Sequence, residues 1–95
     1  MPYKLTPLAK AHLKQIWNYT YKTWGETQAD KYTSSIKKRL EYISENPAKG
    51  RIRDEVSPGL KSFKVEHHII FYFSADSEIK VVGILHKQMD PLKYI

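Results

Sequence analysis

In residues 61–86 the apolar residues lose helical spacing and occur in short blocks. The blocks IIFYF (residues 69–73) and IKVVGIL (residues 79–85) are rich in β-branched and aromatic residues, have the length of strands, and flank the turn-like stretch SADS. Both blocks are apolar at odd and at even positions, so neither strand has a polar face. The pattern predicts two central strands of a sheet that is covered on both faces. Helices would cover one face, and a chain terminus or a partner protein would cover the other.

A first helix is predicted over Pro7–Trp24. Thr6 is a favourable N-cap, and Pro7 is a favourable first helical residue because the missing proline N–H needs no partner there. Gly25 suits the helix end, where positive φ angles are common. Both tryptophans are expected in the core, because they belong to one apolar stripe that is formed by Ala9, Leu13, Ile16, Trp17, Thr20 and Trp24.

A second helix is predicted over Glu26–Glu45, since apolar residues again recur every three or four positions. Its stripe is formed by Ala29, Tyr32, Ile36, Leu40 and Ile43. The helix ends at Asn46, because a residue that precedes proline disfavours helical angles. A connection as short as the one at Gly25 makes the two helices an antiparallel hairpin.

The remaining segments add shorter elements. Residues 3–6 are a candidate edge strand. A further strand is predicted to begin near Lys61, with Phe63 and Val65 facing the core, and to meet the next strand through a tight turn. Residues 48–60 form a highly charged loop. We interpret it as a solvent-exposed connector, in which the charged side chains pair with one another.

These elements predict an α+β fold. A helical hairpin at the N-terminal end would pack on one face of an antiparallel sheet of three or four strands. A chain of 95 residues is long enough for one hydrophobic core, so a single domain over residues 1–95 is expected.

Composition excludes several classes of protein. The chain has no cysteine, which excludes a disulfide framework and thiolate metal sites, and its histidines lack acidic neighbours at metal spacing, so no metal or cofactor is expected. No apolar run reaches the roughly 20 residues of a membrane span, and the first residues do not resemble a signal peptide, so the expected location is the cytoplasm. The net charge of +6 suits a nucleic acid or an acidic protein as partner, although lysines spread over the whole chain equally suit a solvated surface.

Several short motifs resemble those of the RelE/ParE superfamily of toxins from bacterial type II toxin–antitoxin modules, and specifically its ParE branch. In chain order, the matching segments are LTPLA at residues 5–9, YKTWG at 21–25, NPAKG at 46–50, LKSF at 60–63, IFY at 70–72 and ILHKQMD at 84–90. Each motif alone is weak, but their order and spacing extend over nearly the whole chain.

The resemblance implies one of two activities. RelE-like members are ribosome-dependent endoribonucleases, whereas ParE-like members poison DNA gyrase without a known reaction of their own. RNA cleavage by the 2′-hydroxyl needs a base, an acid and cations on the phosphate. His68 occupies a position where several nucleases of the superfamily carry arginine, Gly83 occupies one where many ParE-like sequences do, and no arginine follows Arg53. A lysine cannot replace the forked contact of arginine with phosphate.

The sequence therefore favours a toxin that inhibits DNA gyrase and is neutralised by a cognate antitoxin, an acidic chain that folds on binding. DNA would be contacted only indirectly, through the antitoxin complex. The expected target-binding residues are Arg51, Arg53, Lys61, Lys64, His86, Lys87, Met89 and Leu92. One alternative is an mRNA endoribonuclease that uses His86, Lys61, Lys64 and Tyr94. Another alternative is a degenerate toxin that only binds the antitoxin and co-represses its operon.

Overall fold

The computed structural model describes residues 2–95, which form three α-helices and five strands. In chain order these are β1 (Tyr3–Leu5), α1 (Pro7–Trp24), α2 (Glu26–Glu45), β2 (Arg51–Ile52), β3 (Lys61–Val65), β4 (His68–Ala75), β5 (Glu78–His86) and α3 (Pro91–Tyr94), with a 3-10 turn at Pro47–Lys49. Of the helices at residues 2–95, none combines the length and the apolar character that crossing a membrane requires.

The predicted bounds of α1 and α2 are confirmed, because strong local signals set them. The Thr6 side chain accepts a hydrogen bond from the Ala9 N–H at 3.1 Å, which caps α1. Gly25 has φ of 96°, an angle that favours glycine, and it both ends α1 and begins α2. The chain therefore reverses direction over one residue, and the two helices pack as a hairpin.

The sheet has the strand order β1-β5-β4-β3-β2, so the two apolar blocks form its central strands, as predicted. It has five strands and is mixed, whereas the sequence predicted three or four antiparallel ones: β1 pairs with β5 in parallel and the other pairs are antiparallel. The helical hairpin leads from β1 to β2 at the opposite edge of the sheet, and the antiparallel run of β2 to β5 then brings β5 beside β1 in parallel. A strand as short as β1 has no pattern from which its direction could be predicted.

The main core lies between the sheet and the helical hairpin. Ile36, Leu40 and Ile43 of α2 are at most 1% exposed and pack on the sheet with Ile70 and Val81. Truncating one of these side chains to alanine would cost about 2–5 kcal/mol of unfolding free energy, as is usual for a well-packed core.

The opposite face of the sheet is covered by the chain itself. Phe71 and Leu85 are 1% exposed on this face. They pack with Leu60 and Val56 of the loop before β3, and with Met89 of the tail. The loop between β2 and β3 is therefore not a solvated connector, because it supplies most of the cover that the sequence assigned to a terminus or a partner.

The NPAKG motif has a packing function. The Tyr72 hydroxyl donates a hydrogen bond to the Pro47 carbonyl at 2.9 Å, across the end of the sheet. A Cβ at Gly50 would lie 2.0 Å from that hydroxyl oxygen, so any larger residue would displace the ring. Glycine at position 50 is thus required for Tyr72, which is 0% exposed, to reach Pro47.

The prediction that both tryptophans belong to the core is wrong. Trp24 is 72% exposed, because it lines an open cleft instead of packing on the sheet. Trp17 is half-buried on the side of the hairpin, where its indole N–H donates to Asp30 at 2.9 Å and its ring stacks on Tyr21.

Candidate protein-binding cleft

An open cleft separates the C-terminal half of α1 from the ends of β4 and β5. It consists of a larger part of about 730 Å³ and an adjoining part of about 260 Å³. Both parts are lined by Tyr19, Thr20, His68 and His86, so they form one continuous depression. We call this depression the histidine cleft.

Strand register brings the histidines of the cleft together. His68 begins β4 and His86 ends β5, and the two residues face each other as a pair in the antiparallel ladder. Their rings meet edge to face with centroids 5.4 Å apart. Both side chains project on the helix side of the sheet, because His68 also pairs with Val65, a residue of the main core.

Tyr32 of α2 fixes the orientation of His68. Its hydroxyl oxygen accepts a hydrogen bond from the His67 N–H at 3.1 Å and lies 2.6 Å from Nδ1 of His68. Because the oxygen already accepts from His67, its own proton is available to the His68 nitrogen. Burial raises the pKa of Tyr32, which keeps this hydroxyl protonated and able to donate.

His68 is uncharged at neutral pH. Burial, followed by the nearby His86 and His67, lowers the pKa of His68 to about 4. With Nδ1 bonded to Tyr32, the proton of the neutral ring lies on Nε2.

Backbone N–H groups fix two further imidazoles in the same tautomer, with the proton on Nε2. Nδ1 of His12 accepts from the Ile84 N–H at 3.1 Å, and Nδ1 of His86 accepts from the Gln88 N–H at 3.2 Å. Since a backbone N–H can only donate, both rings carry their neutral-form proton on Nε2. Burial also lowers the pKa of His12. The cleft therefore offers imidazole Nε2–H donors, and burial favours the uncharged form of His68 and His12.

Exposed aromatic side chains border the cleft. Tyr19 is 70% exposed and Trp24 is 72% exposed, and both line its larger part. None of the residues that line this part is a lysine or arginine, although the chain carries sixteen of them. Large aromatic rings with nearby hydrogen-bond donors and little charge are typical of the centre of a protein–protein interface.

The predicted target-binding residues fall into separate groups. His86 and Met89 line the histidine cleft, and Lys87 and Leu92 are exposed in the adjoining tail. Lys61 and Arg51 lie at the other end of the sheet, where β2 pairs with β3.

Arg53 packs against the far face of the sheet. Its guanidinium lies 5.3 Å from the centre of the Phe71 ring, bonds to Glu55 at 2.7 Å, and donates to Ser62 at 3.3 Å. These contacts use two of the five guanidinium N–H donors and hold the side chain against the sheet.

The residues of the nuclease alternative do not come together. Lys61 pairs with Tyr72 and His86 pairs with His68, so the two lie at opposite ends of the sheet, about 13 Å apart along the strand direction. Lys64 projects on the far face, since it pairs with Ile69 of the far-face cluster. Tyr94 lies in α3 and is 48% exposed.

Sequence reasoning did not assign a site role to Tyr32, Tyr19 or Trp24. Tyr32 occupied a regular position in an apolar stripe, and its hydroxyl was the signal that it needs a buried polar partner. No sequence pattern could show the contact of Tyr32 with His68, because the two residues are 36 positions apart.

Comparison with known proteins supports the assignment of the family. Residues 3–91 match the family described as the ParE toxin of the type II toxin–antitoxin system parDE. Toxin ParE1 of Mycobacterium tuberculosis is 38% identical over 89 residues, covering 93% of this chain and 91% of the relative. Toxin ParE of Escherichia coli is 32% identical over 89 residues, covering 93% and 86%. A chain described as the chromosomal ParDE toxin–antitoxin system from P. aeruginosa has the same fold, with a TM-score of 0.80 at 22% identity over 90% of this chain and 95% of that one. The chain therefore belongs to the ParE toxin family of type II toxin–antitoxin systems.

Proposed function

We propose that this toxin acts in the bacterial cytoplasm by binding DNA gyrase, and that the histidine cleft with the tail after β5 is the surface that contacts the target. The observation that carries the proposal is the exposure of Trp24 and Tyr19 beside the cleft. A solvent-exposed tryptophan leaves a large apolar surface in contact with water. Covering that surface with a partner protein is favourable and contributes to binding.

The chemistry of the cleft supports a protein ligand over a phosphate. His12, His68 and His86 each have Nδ1 engaged in a hydrogen bond, which leaves Nε2–H groups that suit the carbonyl groups of a polypeptide. A site that stabilises the transition state of RNA cleavage needs cations beside an acid and a base. Here the candidate cations Lys61 and Lys64 lie at the far end and on the far face of the sheet relative to His86.

We further propose that the cognate antitoxin is an acidic chain that orders on binding. The net charge of +6 would attract such a chain over long distances. Exposed cations of β2 and β3, which include Arg51 and Lys64, form a basic surface apart from the histidine cleft. Binding would stabilise the toxin by mass action.

A DNA cleavage assay with purified gyrase tests the proposal. The isolated chain is expected to increase the amount of cleaved DNA that gyrase leaves on a supercoiled plasmid, and prior addition of antitoxin is expected to abolish the effect. A parallel reaction with translating ribosomes measures cuts in mRNA.

Two outcomes would contradict the proposal. Codon-positioned mRNA cuts that disappear in a His86→Ala variant would assign the chain to the nuclease alternative. Binding to the antitoxin with no effect on gyrase or on ribosomes would assign it to the degenerate class.

A further inference from the structure

A second groove lies on the helical hairpin, apart from the histidine cleft. It has a volume of about 260 Å³ and is lined only by residues of α1 and α2. Lys10 and Lys14 border it from α1 and Lys37 borders it from α2, and all three are exposed. Lysines that are spread over the sequence thus converge at one place when the hairpin forms. We call this place the lysine groove.

The lysine groove has little compensating negative charge. Helix α1 contains no aspartate or glutamate. Among residues 2–95, the ion pairs within 4.0 Å join Lys4 to Glu78 and Arg53 to Glu55, so none of the three groove lysines has a carboxylate partner at that distance. Asp30, whose carboxylate accepts the indole N–H of Trp17 at 2.9 Å, keeps its negative charge beside the groove, so it offsets one of the three lysines. The groove is therefore a local centre of positive charge on a chain whose net charge is +6.

The spacing of the lysines suits an extended polyanion. Lys10 and Lys14 are one helical turn apart, which is about 6 Å along α1, and Lys37 lies across the interhelical gap of about 8–10 Å. Lysine is a flexible point charge without the fixed fork of arginine. Such groups bind phosphates that repeat along a backbone, and they do so without selecting a sequence.

The floor of the groove does not favour a protein partner. Trp17, its largest apolar residue, is half-buried, stacked on Tyr21 and bonded to Asp30. A ring that is fixed in this way cannot insert into a partner as an anchor, which is the contact that dominates most protein interfaces.

We propose that the lysine groove binds the phosphodiester backbone of nucleic acid directly and without sequence specificity. This contact goes beyond the proposed function, since neither gyrase nor the antitoxin takes part in it. It also differs from the sequence-based expectation that DNA is reached only through the antitoxin complex. Three neutralised phosphates predict a slope of about −2.7 for log K against log salt concentration on duplex DNA.

Fluorescence anisotropy with short labelled duplex DNA and single-stranded RNA tests the proposal, with the full chain titrated between about 50 and 200 mM salt. Affinity for duplex DNA is expected to fall about 40-fold over this range. The RNA arm distinguishes a general phosphodiester site from one that needs a duplex. A labelled poly-glutamate peptide is the third probe.

Two variants of equal net charge make the test specific. Lys10→Gln/Lys14→Gln/Lys37→Gln removes the groove, and Lys22→Gln/Lys31→Gln/Lys93→Gln removes three exposed lysines elsewhere. The groove variant is expected to bind DNA at least tenfold more weakly than the control variant, with both having the wild-type thermal unfolding midpoint.

Three results would overturn the inference. Equal losses in the two variants would assign binding to net charge alone. Absence of DNA and RNA binding at the lowest salt concentration would exclude a nucleic-acid site. Preferential loss of poly-glutamate binding by the groove variant, with DNA binding unchanged, would identify an acidic protein as the ligand.

Discussion

The Tyr32 hydroxyl lies 2.6 Å from Nδ1 of His68, and this contact joins the helical hairpin to the first residue of β4. The same oxygen accepts the His67 N–H, so one side chain of α2 holds the turn that precedes β4. His68 in turn supports His86 through their edge-to-face contact. The wall of the histidine cleft is thus positioned by a hydroxyl that could be removed without changing the aromatic ring.

Replacing Tyr32 with phenylalanine is expected to lower the unfolding free energy by about 0.5–1.5 kcal/mol, since one of its two hydrogen bonds is exposed and the other is partly buried. The change leaves the His67 N–H and Nδ1 of His68 without their partner. Urea unfolding measures the effect. The control is Tyr42→Phe, which removes a hydroxyl that forms no hydrogen bond with the residues at positions 2–95, and which is expected to change stability by less than about 0.5 kcal/mol. Equal effects of the two substitutions would show that the Tyr32 contacts contribute nothing.

The stability of the protein is expected to fall as the pH decreases from about 6.5 to about 4. The pKa of His68 is about 4 in the folded protein and 6.5 is its usual value, so in this window the unfolded chain binds a proton that the folded chain does not. The unfolding free energy that is lost through His68 is at most about 3 kcal/mol, and it does not increase further below the pKa of the folded protein. The lowered pKa of His12 acts in the same direction.

Urea unfolding at several pH values checks this dependence in the wild type and in His68→Gln. The amide oxygen of glutamine can accept from Tyr32 but does not titrate, so the variant is expected to lose less stability between these pH values. An identical pH dependence in the variant would mean that His68 does not titrate as described.

The helices were predictable because their ends are set by neighbours in the sequence. Thr6 with Pro7, Gly25, and Asn46 with Pro47 each act within one turn of the helix that they begin or end. The two central strands were predictable for a similar reason, since apolar residues on both faces require burial on both faces.

The histidine cleft was not predictable because it depends on contacts between distant segments. His12 caps Ile84, 72 residues later, and Tyr32 meets His68 only after the hairpin has packed on the sheet. Apolar spacing also could not show that Trp24 lines an open cleft. Periodicity indicates which face of a helix is apolar, but it does not indicate whether another element covers that face along the whole helix.

Replacing Gly83 with alanine is expected to move the side chain of Ile95. A Cβ at position 83 would lie 2.9 Å from Cδ1 of Ile95, so the end of this 40% exposed side chain must turn away. Because a flexible terminal side chain can do so at little cost, the expected loss is about 0.5 kcal/mol of unfolding free energy or less. In an Ile95→Ala background the same substitution is expected to cost less, and a double-mutant cycle measures the coupling. Additive effects of the two substitutions would show that the tail does not rest on Gly83.

Replacing Trp24 with alanine is expected to separate folding from toxicity. Because the side chain is 72% exposed, its removal should change the unfolding free energy by less than about 0.5 kcal/mol. If the ring is an anchor of the target-binding surface, the same change should weaken gyrase binding by about 2 kcal/mol, or about 30-fold in Kd. Urea unfolding measures the first quantity, and titration of purified gyrase with the variant measures the second.

Leu8→Ala is the matched control for Trp24→Ala. Leu8 is also in α1 and is 45% exposed, but it lies at the start of the helix and does not line the histidine cleft. Its truncation is expected to leave gyrase binding and growth inhibition unchanged. Because target binding depends on a surface, the Trp24 variant should retain partial toxicity at high expression, in contrast to the loss of a catalyst. Full toxicity and unchanged gyrase affinity in the Trp24 variant would place the target-binding surface outside the histidine cleft.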